Sequence, residues 1–150
     1  MYKNISWTLV ILWMALIFYL SNQPEVVSDE ISTGVAAHIA ETVEGTTSNV
    51  NIDLASFNHI VRKNAHFFIY FILAVLVFNA LRRNGRSSIT LALAICVLYA
   101  TSDEIHQLFV AGRGPQVSDV LIDTAGASVG LVIYLLAVRI RKTSRRSRAS

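Results

Sequence analysis

Apolar residues along this chain gather into four long blocks separated by short polar links. The first, Ile5 to Leu20, holds no charge; the others run from about His66 to Leu81, Ser88 to Val110 and Val117 to Val138. Each approaches the roughly 20 residues an α-helix needs to cross a bilayer core. A soluble fold of this length would interleave charge at helix or strand period instead. The pattern therefore predicts an all-α, polytopic membrane helix bundle with about four transmembrane helices, over residues 5–21, 63–81, 88–110 and 117–138, followed by a basic tail, 139–150.

The polar segment between the first two blocks has its own pattern. Val27, Ile31, Val35, Ile39 and Val43 recur every fourth position, with acids on other faces. That predicts an amphipathic helix from Glu25 to about Glu44, lying on the membrane surface or capping the bundle. Gly45 and the polar stretch Thr46 to Asn51 end it. Asp53 can cap a new helix, expected to run through His59 and Lys63 directly into the second span. After Leu81, Arg82-Arg83-Asn84-Gly85-Arg86 reads as a tight hairpin that makes spans two and three antiparallel neighbours. The first block could be a secretory signal, since Lys3 precedes it. It contains bulky Trp7, Trp13 and Met14, however, and runs into Ser21-Asn22-Gln23-Pro24 rather than a small-x-small cleavage site, so it reads as an uncleaved anchor.

Composition agrees: 150 residues allow one domain, and 53% are hydrophobic against 15% charged. Charge then sets an orientation. Arg82, Arg83 and Arg86 occupy one link, and Arg139, Arg141, Lys142, Arg145, Arg146 and Arg148 the tail, neither with an acid. Asn22 to Asn64 instead holds Glu25, Asp29, Glu30, Glu41, Glu44 and Asp53 against Arg62 and Lys63. By the positive-inside rule both termini and the arginine link are cytoplasmic, so the acidic segment and the Ala111–Gln116 link face outward. The tail reads as a topology determinant that touches anionic lipid. It has no aromatic interleaving, so no nucleic-acid partner is assigned. The single cysteine, Cys96, lies mid-span and reads as a packing residue.

Ionisable residues inside membrane segments are costly and usually functional. Here they fall at one end. The outer turns of the third span read Thr101-Ser102-Asp103-Glu104-Ile105-His106-Gln107; Asp119 and Asp123 open the fourth span, and Lys63 and His66 the second. The inner halves carry no acid and no histidine. At about 100° per residue, His59, Lys63, His66 and Tyr70 share a stripe about 60° wide. Asp119, Asp123, Gly126 and Gly130 form another, and Asp103, His106 and Gln107 a third with Glu104 at its flank. The Gly126-x-x-x-Gly130 spacing admits a close neighbouring helix, which would press the Asp119/Asp123 face into the bundle. Three polar stripes at one depth are most cheaply satisfied by facing one another, with Arg113 of the Gly112-Arg113-Gly114-Pro115 link above them.

Each residue also has a plainer role. Histidine near an interface is often just an amphipathic ring there, Asp119 suits a helix N-terminus, and Asp103 and Glu104 could pair structurally with Lys63 and Arg113.

The runs Ser-Asp-Glu-Ile-His-Gln-Leu-Phe-Val-Ala-Gly-Arg-Gly-Pro (102–115), Val-Ser-Asp-Val-Leu-Ile-Asp-Thr-Ala-Gly-Ala (117–127) and Arg62-Lys63-Asn64-Ala65-His66-Phe67-Phe68-Ile69-Tyr70 closely resemble the VanZ-like family, with a looser match at Ser21-Asn22-Gln23. One departure is Ile69, where an acid is expected. The resemblance spans nearly the whole chain. It implies a protein of the bacterial cytoplasmic (inner) membrane, in a family whose namesake is associated with low-level resistance to the glycopeptide teicoplanin.

Three functions remain open on the residues. An enzyme acting on a lipid or lipid-linked cell-wall intermediate would draw its acid and base from His66, Asp103, Glu104, His106 and Asp123. Lys63, Gln107, Arg113 and Asp119 would hold the substrate. No Gly-x-Ser-x-Gly nucleophile motif exists, which leaves Ser102 and Ser118 as bare candidates. Two histidines and several carboxylates can bind a divalent ion, but the spacing matches no standard motif, and no metal or cofactor is assigned. A non-catalytic protein would bind a lipid head group or peptidoglycan precursor with the same cluster. An ion path is disfavoured, because the inner halves offer only weak groups such as Asn79, Thr90 and Ser128.

Overall fold

A computed structural model describes residues 2–44, 54–83 and 88–147. Five helices occupy them: α1 (Tyr2–Ser21), α2 (Glu25–Glu44), α3 (Leu54–Arg83), α4 (Ile89–Gln107) and α5 (Val117–Ser147). Four are long and apolar enough to cross a membrane, over Asn4–Ser21, Ile60–Arg83, Ile89–Gln107 and Val117–Arg141. The expected cap at Asp53, the Gly45–Asn51 stretch and the Asn84–Arg86 turn lie outside the described residues. So does the side chain of His59.

The central element is α3. Tyr70, Leu73, Ala74, Val77, Phe78 and Leu81 are buried along it at helical period. It packs against α1, α2, α4 and α5. The outward faces are apolar too: Ile11, Leu12, Phe68, Leu98, Val132 and Leu136 are all exposed. A soluble protein rarely presents so broad an apolar surface, whereas lipid tails are as apolar as these side chains.

Between helices that share a hydrocarbon environment, close packing and polar contacts supply the cohesion. Both are present. Glycine lets α5 settle on α3: a Cβ on Gly126 would collide with the Phe67 carbonyl, and one on Gly130 would lie 2.5 Å from the Phe71 carbonyl oxygen. On the other side, the Trp13 indole donates to the Ile69 carbonyl at 3.0 Å, and the Tyr99 hydroxyl to the Met14 carbonyl at 2.6 Å. Each helical carbonyl has a second lone pair for such a bond. These two contacts tie α1 to α3 and to α4.

The boundaries depart from expectation in two places. The third membrane helix stops at Gln107, not Val110, because the amides of Leu108, Phe109 and Val110 turn back three residues to the carbonyls of Ile105, His106 and Gln107. That tightening ends a helix, and Gly112 follows at φ 79°, a conformation glycine adopts at little cost. Residues 139–147 are helical, not a separate tail. Arginine and lysine are good helix formers, and cations favour a helix C-terminus. Finally, α3 runs unbroken from Leu54, so the polar lead and the second span form one element, as the pattern predicts.

Candidate functional site

The polar residues collect where α1 and α4 end and α3 and α5 carry their first membrane turns. Helical period puts them there. His66 and Tyr70 are one turn apart on α3, and Asp119 and Asp123 one turn apart on α5. The glycine contact described above lies next to both, since Phe67 follows His66 and Gly126 is three residues beyond Asp123. The two stripes therefore meet: His66 Nδ1 lies 3.5 Å from Asp123 Oδ1. Asp123 is 1% exposed, and neither of its carboxylate oxygens has a hydrogen-bond partner among the described residues.

Beside this pair a cavity of about 270 Å³ opens between α1, α2, α3 and α4. That is far more than the ~10–15 Å³ one water requires and near the lower end of small-ligand sites, roughly 300–1,000 Å³. Its walls are divided. Ile17, Leu20, Val35, Val61, Ala65 and Ile69 make an apolar side; Ser21, Arg62, His66, Tyr70, Asp103 and Arg113 make a polar one. Tyr70 and Asp103 are 1% and 4% exposed, yet the Tyr70 hydroxyl and Asp103 Oδ1 have no hydrogen-bond partner among the described residues. Buried polar groups are normally satisfied, and each exception calls for a cause.

The remaining candidates divide into cavity, scaffold and rim. Gln107 is buried and donates from Nε2 to the Ser21 hydroxyl at 3.1 Å. Glu104, also buried, accepts the Gln116 backbone amide at 2.7 Å. It thereby ties the α4–α5 link to α4 through Oε2. His106 turns away from the His66–Asp123 pair toward α1: its Nε2 lies 3.2 Å from Asn22 Oδ1, and its ring stacks on Phe18 with centroids 4.5 Å apart. Asp119 is buried in the first turn of α5, 3.2 Å from the Ser118 hydroxyl. Ser102 bonds back to the Tyr99 carbonyl at 2.8 Å. Arg113 lines the cavity, whereas the neighbouring cation on α3 that does so is Arg62, not Lys63. Among the described residues no group of three or more His, Cys, Asp or Glu side chains is arranged to hold a metal ion.

Sequence reasoning missed α1 and α2. Ser21 and Gln23 at the end of α1, and Ser32 and Val35 on α2, line the cavity. The polar Ser21-Asn22-Gln23 run was a signal for the first of these. Nothing in a helical stripe says which neighbour it will face, so the second had none.

Chemically, the arrangement offers an imidazole approached by one buried carboxylate, together with a second buried carboxylate, a phenol and two guanidiniums in the wall of the same cavity. It can hold a charged head group beside an apolar chain, and His66 has Nε2 as the nitrogen that Asp123 does not engage. No curated protein and no solved structure matches the chain. A family model described as VanZ/LLP1 matches residues 6–138, which takes in nearly all of the four membrane helices and every residue of this site, and the chain belongs to that family.

Proposed function

We propose that this membrane protein binds the head group of an amphiphile, a lipid or a lipid-linked cell-wall intermediate, at the outer face of a bacterial cytoplasmic membrane. Both termini would be cytoplasmic by the positive-inside rule. One observation carries the reading: a largely apolar cavity at one end of the bundle has two deeply buried polar groups in its wall, the Tyr70 hydroxyl and Asp103 Oδ1, that find no hydrogen-bond partner among the described residues. Such a surface is complementary to a molecule with a polar head and an apolar chain. A protein that binds envelope intermediates at the outer leaflet would alter the surface a glycopeptide meets, which is the sense in which a link to teicoplanin fits.

A catalytic reading has one observation of its own, the 3.5 Å approach of His66 to Asp123. A buried carboxylate that orients an imidazole is a common general-base arrangement. An ion path draws no such support: below the cavity the core is Leu73, Ala74, Val77, Phe78, Ala127 and Leu131.

The test is lipid and wall-precursor profiling of cells with and without the gene, repeated with Asp103→Asn. The expected result is a change in one class of envelope amphiphile that Asp103→Asn abolishes at normal protein level. An unchanged profile, together with no amphiphile co-purifying with the protein, would overturn the proposal. Accumulation of a modified product would favour catalysis; a shift in amount or distribution without new product favours binding.

A further inference from the structure

We propose that the amphiphile carries a phosphate followed by a protonated primary amine, as in phosphatidylethanolamine, with the phosphate at Arg62 and Arg113 and the amine at Asp103 and Tyr70. This rests on the binding reading above and adds the chemistry of the head group.

The argument starts from what the cavity leaves unsatisfied. Asp103 lines it, is 4% exposed, and has Oδ1 without a hydrogen-bond partner among the described residues. A carboxylate accepts and cannot donate, so its complement is a donor. The Tyr70 hydroxyl, equally buried and also in the wall, can accept from the same donor. A primary ammonium has three N–H donors and suits several acceptors at once. A neutral hydroxyl has one.

Charge points the same way. Buried carboxylates are paired or they are costly. Asp103 and Asp123 are both buried at this end of the bundle, and His66, 3.5 Å from Asp123, is engaged there. A cationic donor at Asp103 would bond the oxygen that the described residues leave without a partner.

The guanidiniums fix the other half of the head group. Arg62 and Arg113 line the same cavity. Each engages a neighbour in the protein, but a guanidinium has five N–H donors, and planar arginine is well suited to phosphate oxygens. The apolar side, with Ile17, Leu20 and Val61, receives the start of the chain. The volume of about 270 Å³ admits a head group and the adjoining chain atoms, so the rest of the lipid stays in the bilayer. Free phosphoethanolamine would leave that apolar side unused.

The experiment is native mass spectrometry of the full-length protein in detergent, titrated separately with phosphatidylethanolamine, phosphatidylcholine and phosphatidylglycerol of one chain composition. Phosphatidylcholine keeps the cation but has no N–H, and phosphatidylglycerol keeps the phosphate but has no amine. Phosphatidylethanolamine is expected to bind about tenfold or more tighter than either, the scale of a charge-assisted hydrogen bond. Asp103→Asn should erase that preference while leaving phosphatidylglycerol binding intact, and Tyr70→Phe should reduce it. Arg62→Gln should weaken all three lipids together. Equal binding of the three lipids, lost alike in Arg62→Gln, would overturn the amine assignment and leave the binding reading standing. No competition by any lipid for a photo-crosslinking probe seated at Val61 would overturn both. Should Asp103→Asn fail to fold, the wild-type ranking and Tyr70→Phe decide.

Discussion

The contact between α3 and α5 sets the spacing of the site, and a single methyl group tests it. A Cβ on Gly130 would lie 2.5 Å from the Phe71 carbonyl oxygen, and one on Gly126 would meet the Phe67 carbonyl still more closely. Comfortable carbon–oxygen contacts begin near ~3.3 Å. Gly130→Ala must therefore push α5 away by about 0.8 Å, and Gly126→Ala by more, because the obstacle is backbone and has no rotamer to change. Applied to the His66–Asp123 separation, 3.5 Å in the native fold, the larger retreat in Gly126→Ala opens the pair beyond about 4.3 Å. The energetic sign needs a control, since glycine to alanine inside a helix gains about 0.8–1.0 kcal/mol from propensity alone. Gly34 on α2 provides it, as nothing lies within 4 Å of the position its Cβ would take. Gly34→Ala should collect the gain, whereas Gly126→Ala sets against it an overpacking cost of about 1–3 kcal/mol. The difference between the two variants isolates the clash at about 1–3 kcal/mol, toward the upper end for a rigid obstacle. Reversible unfolding in mixed micelles measures it. A difference under about 0.5 kcal/mol, the scatter of surface substitutions, would mean that the glycines do not hold these helices together.

Two smaller predictions concern the scaffold. Trp13→Phe and Tyr99→Phe each remove one hydrogen bond to a helical carbonyl, and each should cost about 0.5–1.5 kcal/mol in the same assay. Because the two bonds lie on different helix pairs, their effects should add within about 0.5 kcal/mol. Glu104→Ala should leave the bundle intact but accelerate hydrogen exchange at the Gln116 amide, which Glu104 accepts at 2.7 Å; Glu104→Gln, which keeps an acceptor oxygen, should accelerate it less. Unchanged exchange in Glu104→Ala would show that the link is held by other means.

What the sequence made legible was whatever depends on one helix at a time. Span length and apolar content are local properties, so the four membrane helices and the long α3 follow from the pattern of residues. The shared face of Asp123, Gly126 and Gly130 follows from helical period, and the structure turns it toward α3. What stayed hidden depends on neighbours. His106 shares a stripe with Asp103 in the sequence, but Asn22 and Phe18 at the end of α1 draw its ring outward. Arg62 and Lys63 are adjacent and alike, and the roughly 100° between them decides that Arg62 lines the cavity. The part of α1 in the site rests on Ser21 meeting Gln107 across 86 residues, which no periodicity encodes. The end of α4 at Gln107 turns on a local tightening of the backbone rather than on hydropathy.

The His66–Asp123 pair allows a test of opposite sign to simple addition. Asp123 is 1% exposed, and among the described residues the cation within ion-pair distance of it is His66, at 3.5 Å. Taking away one member of a buried pair leaves the other charge uncompensated, at a cost of about 3–5 kcal/mol. Replacing both removes the problem with the charge. His66→Gln should therefore be strongly destabilising, by up to that amount, since a carboxyl that takes up a proton escapes part of the penalty. Asp123→Asn alone should cost less, because an imidazole can simply be neutral. The double variant should then be more stable than His66→Gln, not less. The coupling energy expected for residues in contact is about 0.5–3 kcal/mol, and unfolding of the four proteins in mixed micelles closes the cycle. If the double variant loses the sum of the single losses, the two side chains act independently and the carboxylate-backed imidazole is not a unit. That outcome would remove the observation on which a catalytic reading of the site depends, while leaving the cavity, with Asp103 and Tyr70 in its wall, as a place for a head group to bind.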